Sequence, residues 1–337
     1  MRKIYIIWLL ITSVSFVYGQ DIHFSQYYLQ PQLLSPSNVG VFDGDHRVAV
    51  IHRNQWSAVP VSYNTFSIGY DGKFLKDELN NGDHVGAGLS IFSDKAGDSK
   101  FSNLQFDFNT AYVKSVSTTE PHFISVGLKV GYVSRSINYN DLRFDNQFNG
   151  EFYDPNLATN ENFAKSSIGY LDLGTGVSWL YNKLDKMQFE VGLSFHHLNA
   201  PNVSFMNNGE IKLDRNVKFF TNSKFKAYKN IDVLPGFQMQ KQGEYFEFVS
   251  GTSVRYGLED YFGRKTAVTL GSWYRSDDAV IIKTGFQYDD IVLGIAYDVN
   301  VSPFKKATNS RGAFEMGLIY IIREVPTLIP NKSCPIY

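Results

Sequence analysis

The sequence predicts an all-β fold, a transmembrane antiparallel β-barrel of about 14 strands with a short N-terminal plug segment. Three observations predict it. Apolar and polar residues alternate with period two in segment after segment. The connections between those segments alternate between short and long. The chain is 15% aromatic, with 27 Phe, 21 Tyr and 27 Gly, which suits strands and close packing better than helices.

The chain opens with Arg2 and Lys3, an apolar stretch Ile4 to Val17, and Val17 and Gly19 at the −3 and −1 positions of a cleavage site. That order predicts a secretory signal peptide over 1–19, with the mature chain beginning at Gln20. No later apolar run approaches the ~20 residues a spanning helix needs. The single Cys, Cys334, cannot form an internal disulfide. No linker divides the chain, so one barrel over 46–323 is expected, followed by a periplasmic tail over 324–337. The segment 20–45 precedes the barrel. Phe24 to Val39 is too apolar and too Pro-broken for a strand, so it is assigned to a plug carried by Phe24, Tyr27, Tyr28, Leu33 and Leu34.

Alternation marks strands near 46–57, 62–72, 84–94, 100–115, 121–137, 166–182, 186–198, 216–228, 231–240, 244–258, 265–276, 279–288, 290–299 and 311–323. Leu104, Phe106, Phe108, Ile124, Val126, Leu128, Phe189, Leu193, Met316 and Leu318 fall on the lipid face. Asp107, Lys129, Asp172, Glu190, Glu247, Arg255, Glu315 and Arg323 fall on the lumen face. An Arg at Val126 is expected to cost about 2–4 kcal/mol, and one at lumenal Ser125 far less. Aromatics at Trp56, Trp179-Tyr181 and Trp273-Tyr274 stand where interfacial girdles sit. Short periplasmic turns (Asn182 to Asp185, Lys229-Asn230, Asp289-Asp290) contrast with long outer loops, Asn138 to Lys165 and Asn199 to Arg215. Lys73 to Asp83 is a longer inner connection with room for one helical turn.

Catalytic and metal constellations are weak. Ser194, His196-His197 and Asn199 contain the residue types of a hydrolase, but alternation puts Ser194 and His196 in the lumen and His197 toward lipid. Asp145, Gln147, Asn149 and Gly150 fit a calcium loop poorly, with Gln at position 3 and Asn156 at position 12. No catalytic, metal or cofactor residue is assigned. A net charge of −1 gives no electrostatic reason to expect nucleic acid.

Read in order, the chain resembles the PorP/SprF family of outer-membrane proteins of the Bacteroidetes type IX secretion and gliding systems. The resemblance rests on Asp21 to Tyr28 with Pro31, Pro36 and Gly40, then Arg53 to Trp56, Tyr63 and Tyr70-Asp71. It continues through Phe92 to Asp98, Phe144 to Phe148, Phe152 to Asn156, and His197 to Asn199 with Pro201 and Phe205. Trp273 to Arg275 and Tyr297 to Val301 complete it. The chain departs from the family at Ser35-Pro36-Ser37, where members often read Asn-Pro-Ala, and in its C-terminal tail.

The resemblance implies an outer-membrane barrel, not an enzyme, that supports secretion or surface retention of a large adhesin-like protein carrying a type IX C-terminal signal. Periplasmic type IX machinery is a further partner it implies. The alternative is a porin-like or hydrophobic-solute transporter. The outer loops mix aromatic rings with Asp and Asn, as interfaces with anchoring rings and a polar rim do. Asp94, Lys95, Asp98, Phe144, Asp145, Phe148, Phe152, Tyr153 and Phe205, with Phe163, are the candidate partner-binding residues.

Overall fold

The computed structural model describes residues 21–56, 62–79, 82–117, 122–161, 164–183, 186–206, 209–258, 265–303 and 305–324. The expected signal peptide over 1–19 and all of the expected tail except Glu324 lie outside them, as does Phe163.

Fourteen strands close into one antiparallel barrel in which each pairs with its sequence neighbours and β1 meets β14. They are β1 His46–Gln55, β2 Tyr63–Phe74, β3 His84–Ala96, β4 Phe101–Ser117, β5 His122–Ser136, β6 Ser167–Lys183 and β7 Met187–His196. The second half is β8 Asn216–Tyr228, β9 Ile231–Gln242, β10 Tyr245–Gly257, β11 Thr266–Arg275, β12 Ala279–Tyr288, β13 Ile291–Asn300 and β14 Arg311–Ile322. The seam runs in unbroken register from His46↔Ile322 to Gln55↔Ala313, so no strand edge is left open to lipid. Every predicted segment became a strand, because each alternates along its length and ends at a turn residue. Within the connection Lys73 to Asp83, Leu79 N–H donates to the Leu75 carbonyl, closing one helical turn.

The two faces differ as the pleat requires. Val126 and Leu128 are 54% and 59% exposed, while their neighbours Ser125 and Lys129 are 1% and 5% exposed. Strands β5 and β6, with 15 and 17 residues, run well beyond the ~10 that cross the bilayer, and they carry the loop 138–165.

The lumen is filled by residues 21–45. Three short helical turns, Tyr27–Leu29, α1 Pro31–Leu34 and Pro36–Asn38, take this segment down the barrel. Pro31 and Pro36 stand at helical first positions, where a missing N–H costs nothing. The segment packs flush because lumenal glycines give it room. A Cβ added to Gly127 would collide with the Pro36 carbonyl carbon, and one on Gly86 with the Val39 oxygen.

Alternation misplaces three side chains. Arg323, expected in the lumen, follows the last residue of β14 and is a rim residue paired with Asp43 and Asp290. Trp273, grouped with the girdle, is 5% exposed; it points inward and donates from Nε1 to Ser253 Oγ at 3.0 Å. Adjacent residues of a strand cannot share a face, and Tyr274, 40% exposed, takes the outward position. His197, expected toward lipid, is buried, because it lies just past β7 with φ +57°. That left-handed residue breaks the pleat and turns the ring into the lumen.

Candidate functional site

The plug is held at three levels. In the middle, Ser25 and Gln26 N–H groups donate to the Glu315 carboxylate at 2.9 and 2.7 Å. The Ser25 hydroxyl donates to Asp298 at 2.7 Å and accepts from Arg53 at 2.8 Å and Arg275 at 2.6 Å. Arg53 and Arg275 each also bind the Asp298 carboxylate at 2.9 Å. Two guanidiniums and two carboxylates thus meet around one serine, with every side chain almost fully buried. Charge this deep is stable only when paired, and β1, β11, β13 and β14 together supply the ion pairs, with the Nε groups of Arg53 and Arg275 making no hydrogen bond.

Beside it, Lys283 Nζ sits 3.7 Å from the Trp273 ring centre and 5.1 Å from that of Tyr28, so a plug ring shares in stabilising a buried ammonium. Tyr27 meets Trp273 edge-on at 6.1 Å. Toward the periplasm, Arg47 binds Asp71 with two nitrogens and donates to the Asn38 carbonyl at 2.9 Å, while Gly40 N–H donates to Asp71 at 2.9 Å.

At the outer end, His197 bridges two carboxylates: Nε2 is 2.7 Å from Asp21 Oδ2 and Nδ1 is 2.8 Å from Asp172 Oδ1. Asn216 also donates to Asp21, and Lys129 to Asp172. Burial alone would push the His197 imidazole down, but the Asp21 carboxylate and the bonds to both acids carry it up to about 9. At neutral pH both ring nitrogens therefore donate. Burial would likewise raise the Asp21 carboxyl, and the charge of His197 outweighs it, holding Asp21 well below its usual range.

The expected plug residues all lie inside the barrel. Phe24, Tyr27 and Leu34 are buried, and Tyr28 and Leu33 pack against the same two apolar clusters. Above them opens an outer vestibule of about 750 Å³, floored by the plug and walled by residues of β1 to β9 and the loop after β7.

The expected partner-binding residues separate into groups. Phe148 and Phe152 are 58% and 59% exposed at the tip of the loop 138–165. Phe144 and Tyr153 are half-buried, Asp145 is exposed, and Arg143 lies over the Tyr153 ring at 5.0 Å. Lys95 and Asp98 are exposed near the outer rim. Asp94 instead faces the vestibule and accepts from Thr65 at 2.7 Å. Phe205 meets Phe101 edge-on at 6.2 Å, so the loop after β7 leans across the mouth toward β4.

Ser194 Oγ and His196 Nε2 do come within 3.2 Å, but the hydroxyl also lies 2.8 Å from the Leu34 carbonyl, to which it donates. Asn199 has both amide ends on the β6 backbone, at Leu171 and Leu173, so the three do not form a triad. In the loop 138–165, Gln147 and Asn149 spend their side-chain groups on that loop's own backbone.

Sequence reasoning missed the roles of Ser25, Arg53 and Arg275. Each stood inside a motif of the family resemblance, and the Arg residues' parity placed them in the lumen.

Fold, filled lumen and motif order define an outer-membrane barrel of a secretion system. The family model described as type IX secretion system membrane protein PorP/SprF matches residues 16–320, and the chain belongs to that family. Membership places it in the outer membrane and implies contact with secretion machinery and cargo. No curated protein matches the sequence.

Among solved structures, the chain is similar to the Ralstonia pickettii toluene transporter TbuX, at 10% identity and a TM-score of 0.49, over 87% of this chain and 93% of that one. It is similar to the CymD monoaromatic hydrocarbon channel at 10% identity and 0.49, over 91% and 96% of the two chains. For a Pseudomonas aeruginosa FadL homologue the values are 9%, 0.42, 83% and 76%.

Proposed function

We propose that this barrel is the outer-membrane partner of an exported adhesin-like protein carrying a type IX C-terminal signal, and that its outer loops dock that protein during secretion or surface retention. The observation that carries the reading is the contrast between a lumen bolted shut by ion pairs and an outer loop that presents Phe148 and Phe152 to solvent. Exposed rings on an ordered loop suit binding, whereas a plug held by buried charges does not suit passage of solute. The loop 138–165 is built to keep its shape: Phe148 and Tyr153 form a bridge, and Asp154 N–H donates to the Gln147 carbonyl at 2.8 Å.

Shortening 138–165 while keeping β5 and β6 paired is expected to strip the partner from the cell surface and leave small-solute permeability unchanged. Retention of the partner together with solute leakage would make the loop a gate and put the transporter reading first.

A further inference from the structure

Charges on the periplasmic rim are handled differently on its two sides. Near the seam they pair, Lys76 with Asp45 and Glu324, and Arg323 with Asp43 and Asp290. Across the barrel, the turns after β6 and β8 carry Lys183, Lys186, Lys226 and Lys229, all exposed. Residues 183–186 and 226–229 hold these four lysines and one acid, Asp185. The nearby carboxylate of Asp232 is taken by Arg255 at 2.6 Å, with Lys224 at 3.9 Å. Among the described residues, none of the four lysines is in an ion pair. The two turns touch, since Lys226 N–H donates to the Lys186 carbonyl at 2.9 Å. Lys183 and Phe225 both pair with Met187, so the lysines form one patch.

The bilayer face of the wall beside this patch is aromatic. The Trp179 ring lies 5.4 Å from His122, 5.7 Å from Phe189 and 6.3 Å from Tyr181, centre to centre. Trp179, Tyr181 and Lys183 are alternate residues of β6 and share its outward face. Phe225 is 40% exposed, and Tyr228, next to Lys229, 74%. Trp and Tyr so placed mark the headgroup layer. The two residues from Tyr181 to Lys183 advance about 5 Å along the membrane normal at the usual strand tilt, close to the thickness of that layer. Unpaired ammonium groups thus stand at the level of lipid phosphates, beside rings suited to the glycerol end.

We propose that the turns after β6 and β8, with the rings of Trp179 and Tyr181, bind an anionic phospholipid of the periplasmic leaflet through its phosphate. Charge complementarity selects the headgroup, with four ammonium groups against one carboxylate. The rings select lipid over an acidic protein, because they lie on the bilayer face of the wall and not on its open end. Strands β5 to β8 carry the loop 138–165 and the loop after β7 at their other ends. A lipid bound here holds at fixed depth the sector from which those loops project.

Tryptophan quenching tests the site. Trp56→Phe leaves Trp179 as the lipid-facing tryptophan among the described residues, because Trp273 is buried in the lumen. The full-length variant is reconstituted in phosphatidylcholine bilayers holding brominated phosphatidylglycerol or brominated phosphatidylcholine. Phosphatidylglycerol is expected to be preferred at Trp179 by at least about fivefold, the factor that one lysine contributes beside an anionic surface. Lys183→Gln, Lys186→Gln, Lys226→Gln and Lys229→Gln together should bring the ratio to about one, whereas Lys76→Gln should leave it unchanged. If the quadruple variant does not fold, Lys183→Gln with Lys186→Gln decides, with an expected drop of at least about twofold. Equal quenching by the two lipids, or a preference that survives the lysine changes, would overturn the proposal. Salt-sensitive capture on polyglutamate beads without a lipid preference would assign the patch to an acidic periplasmic protein and overturn it as well.

Discussion

The plug and the loop 138–165 are both irregular chain, yet they satisfy their backbones in opposite ways. The plug gives many of its polar groups to strand residues remote in sequence, as in the bond from Ser25 to Glu315 across 290 positions. The loop gives most of its groups to itself, through Asn149, Gln147 and Asp154, and reaches the β3–β4 turn only at its base, from Asn138 to Ser99 and from Asp141 to Lys100. Their rings differ to match: Tyr27 is 3% exposed, Phe152 59%. Buried irregular chain must find partners for every polar group, so a segment whose partners lie in the barrel belongs to the barrel. A segment that is complete by itself is free to offer its rings to something else.

The comparison breaks most sharply if the plug charges can be removed without loss. Arg53→Met leaves Asp298 and Glu315 short of a partner and is expected to cost about 3–5 kcal/mol. The midpoint of heat-induced barrel unfolding on gels measures this. An unchanged midpoint would mean that the plug does not brace the wall.

Next comes an Arg scan at two neighbours. Val126→Arg, toward lipid, should cost about 2–4 kcal/mol. An open lumen would make Ser125→Arg far milder. Ser125 is instead covered by the plug at the Ser37 carbonyl, so this change should cost at least as much as typical overpacking, about 1–3 kcal/mol. Denaturant titration in micelles of both variants sharpens the point, since a neutral Ser125→Arg would place the plug elsewhere.

The outer tether should titrate. His197 has its pKa raised in the folded protein to about 9. Its contribution is complete below the unfolded value near 6.5 and fades as pH rises through 9, to a total on the order of 3 kcal/mol. Asp21, held low, contributes above about pH 4 and loses its contribution in stronger acid. Protease cleavage near Asp21 should therefore increase between pH 7 and pH 10 in the native protein. It should show no such rise in His197→Asn, where the segment is loosened at every pH. Shortening 138–165 has the smallest expected effect on stability, within about 0.5 kcal/mol, because that loop lends the barrel almost nothing.

The strands were legible because a two-residue period is written into each of them, and the long outer loops were legible by length. The plug was legible as apolar, Pro-interrupted chain with nowhere else to go. What holds it was not. The mates of Ser25 lie on β1, β11, β13 and β14, and no local pattern pairs residues that far apart. His197 and Asp94 mark the same limit at the candidate site. Alternation ends where the strand ends, so the ring of His197 could swing inward. Asp94 closes the expected strand 84–94 and was grouped with the partner-binding residues, yet its side chain faces the lumen and accepts from Thr65.

The ionic cluster around Ser25 also fixes an order of events. Its plug half is made first by the ribosome, and two of its acids, Asp298 and Glu315, belong to the last strands to be made. The leading segment thus has no seat until β13 and β14 have arrived and the seam with β1 has formed. A barrel that stalls short of closure keeps a loose, Phe- and Tyr-rich leader and an unsealed bore, features by which quality-control proteases can tell it from a finished one.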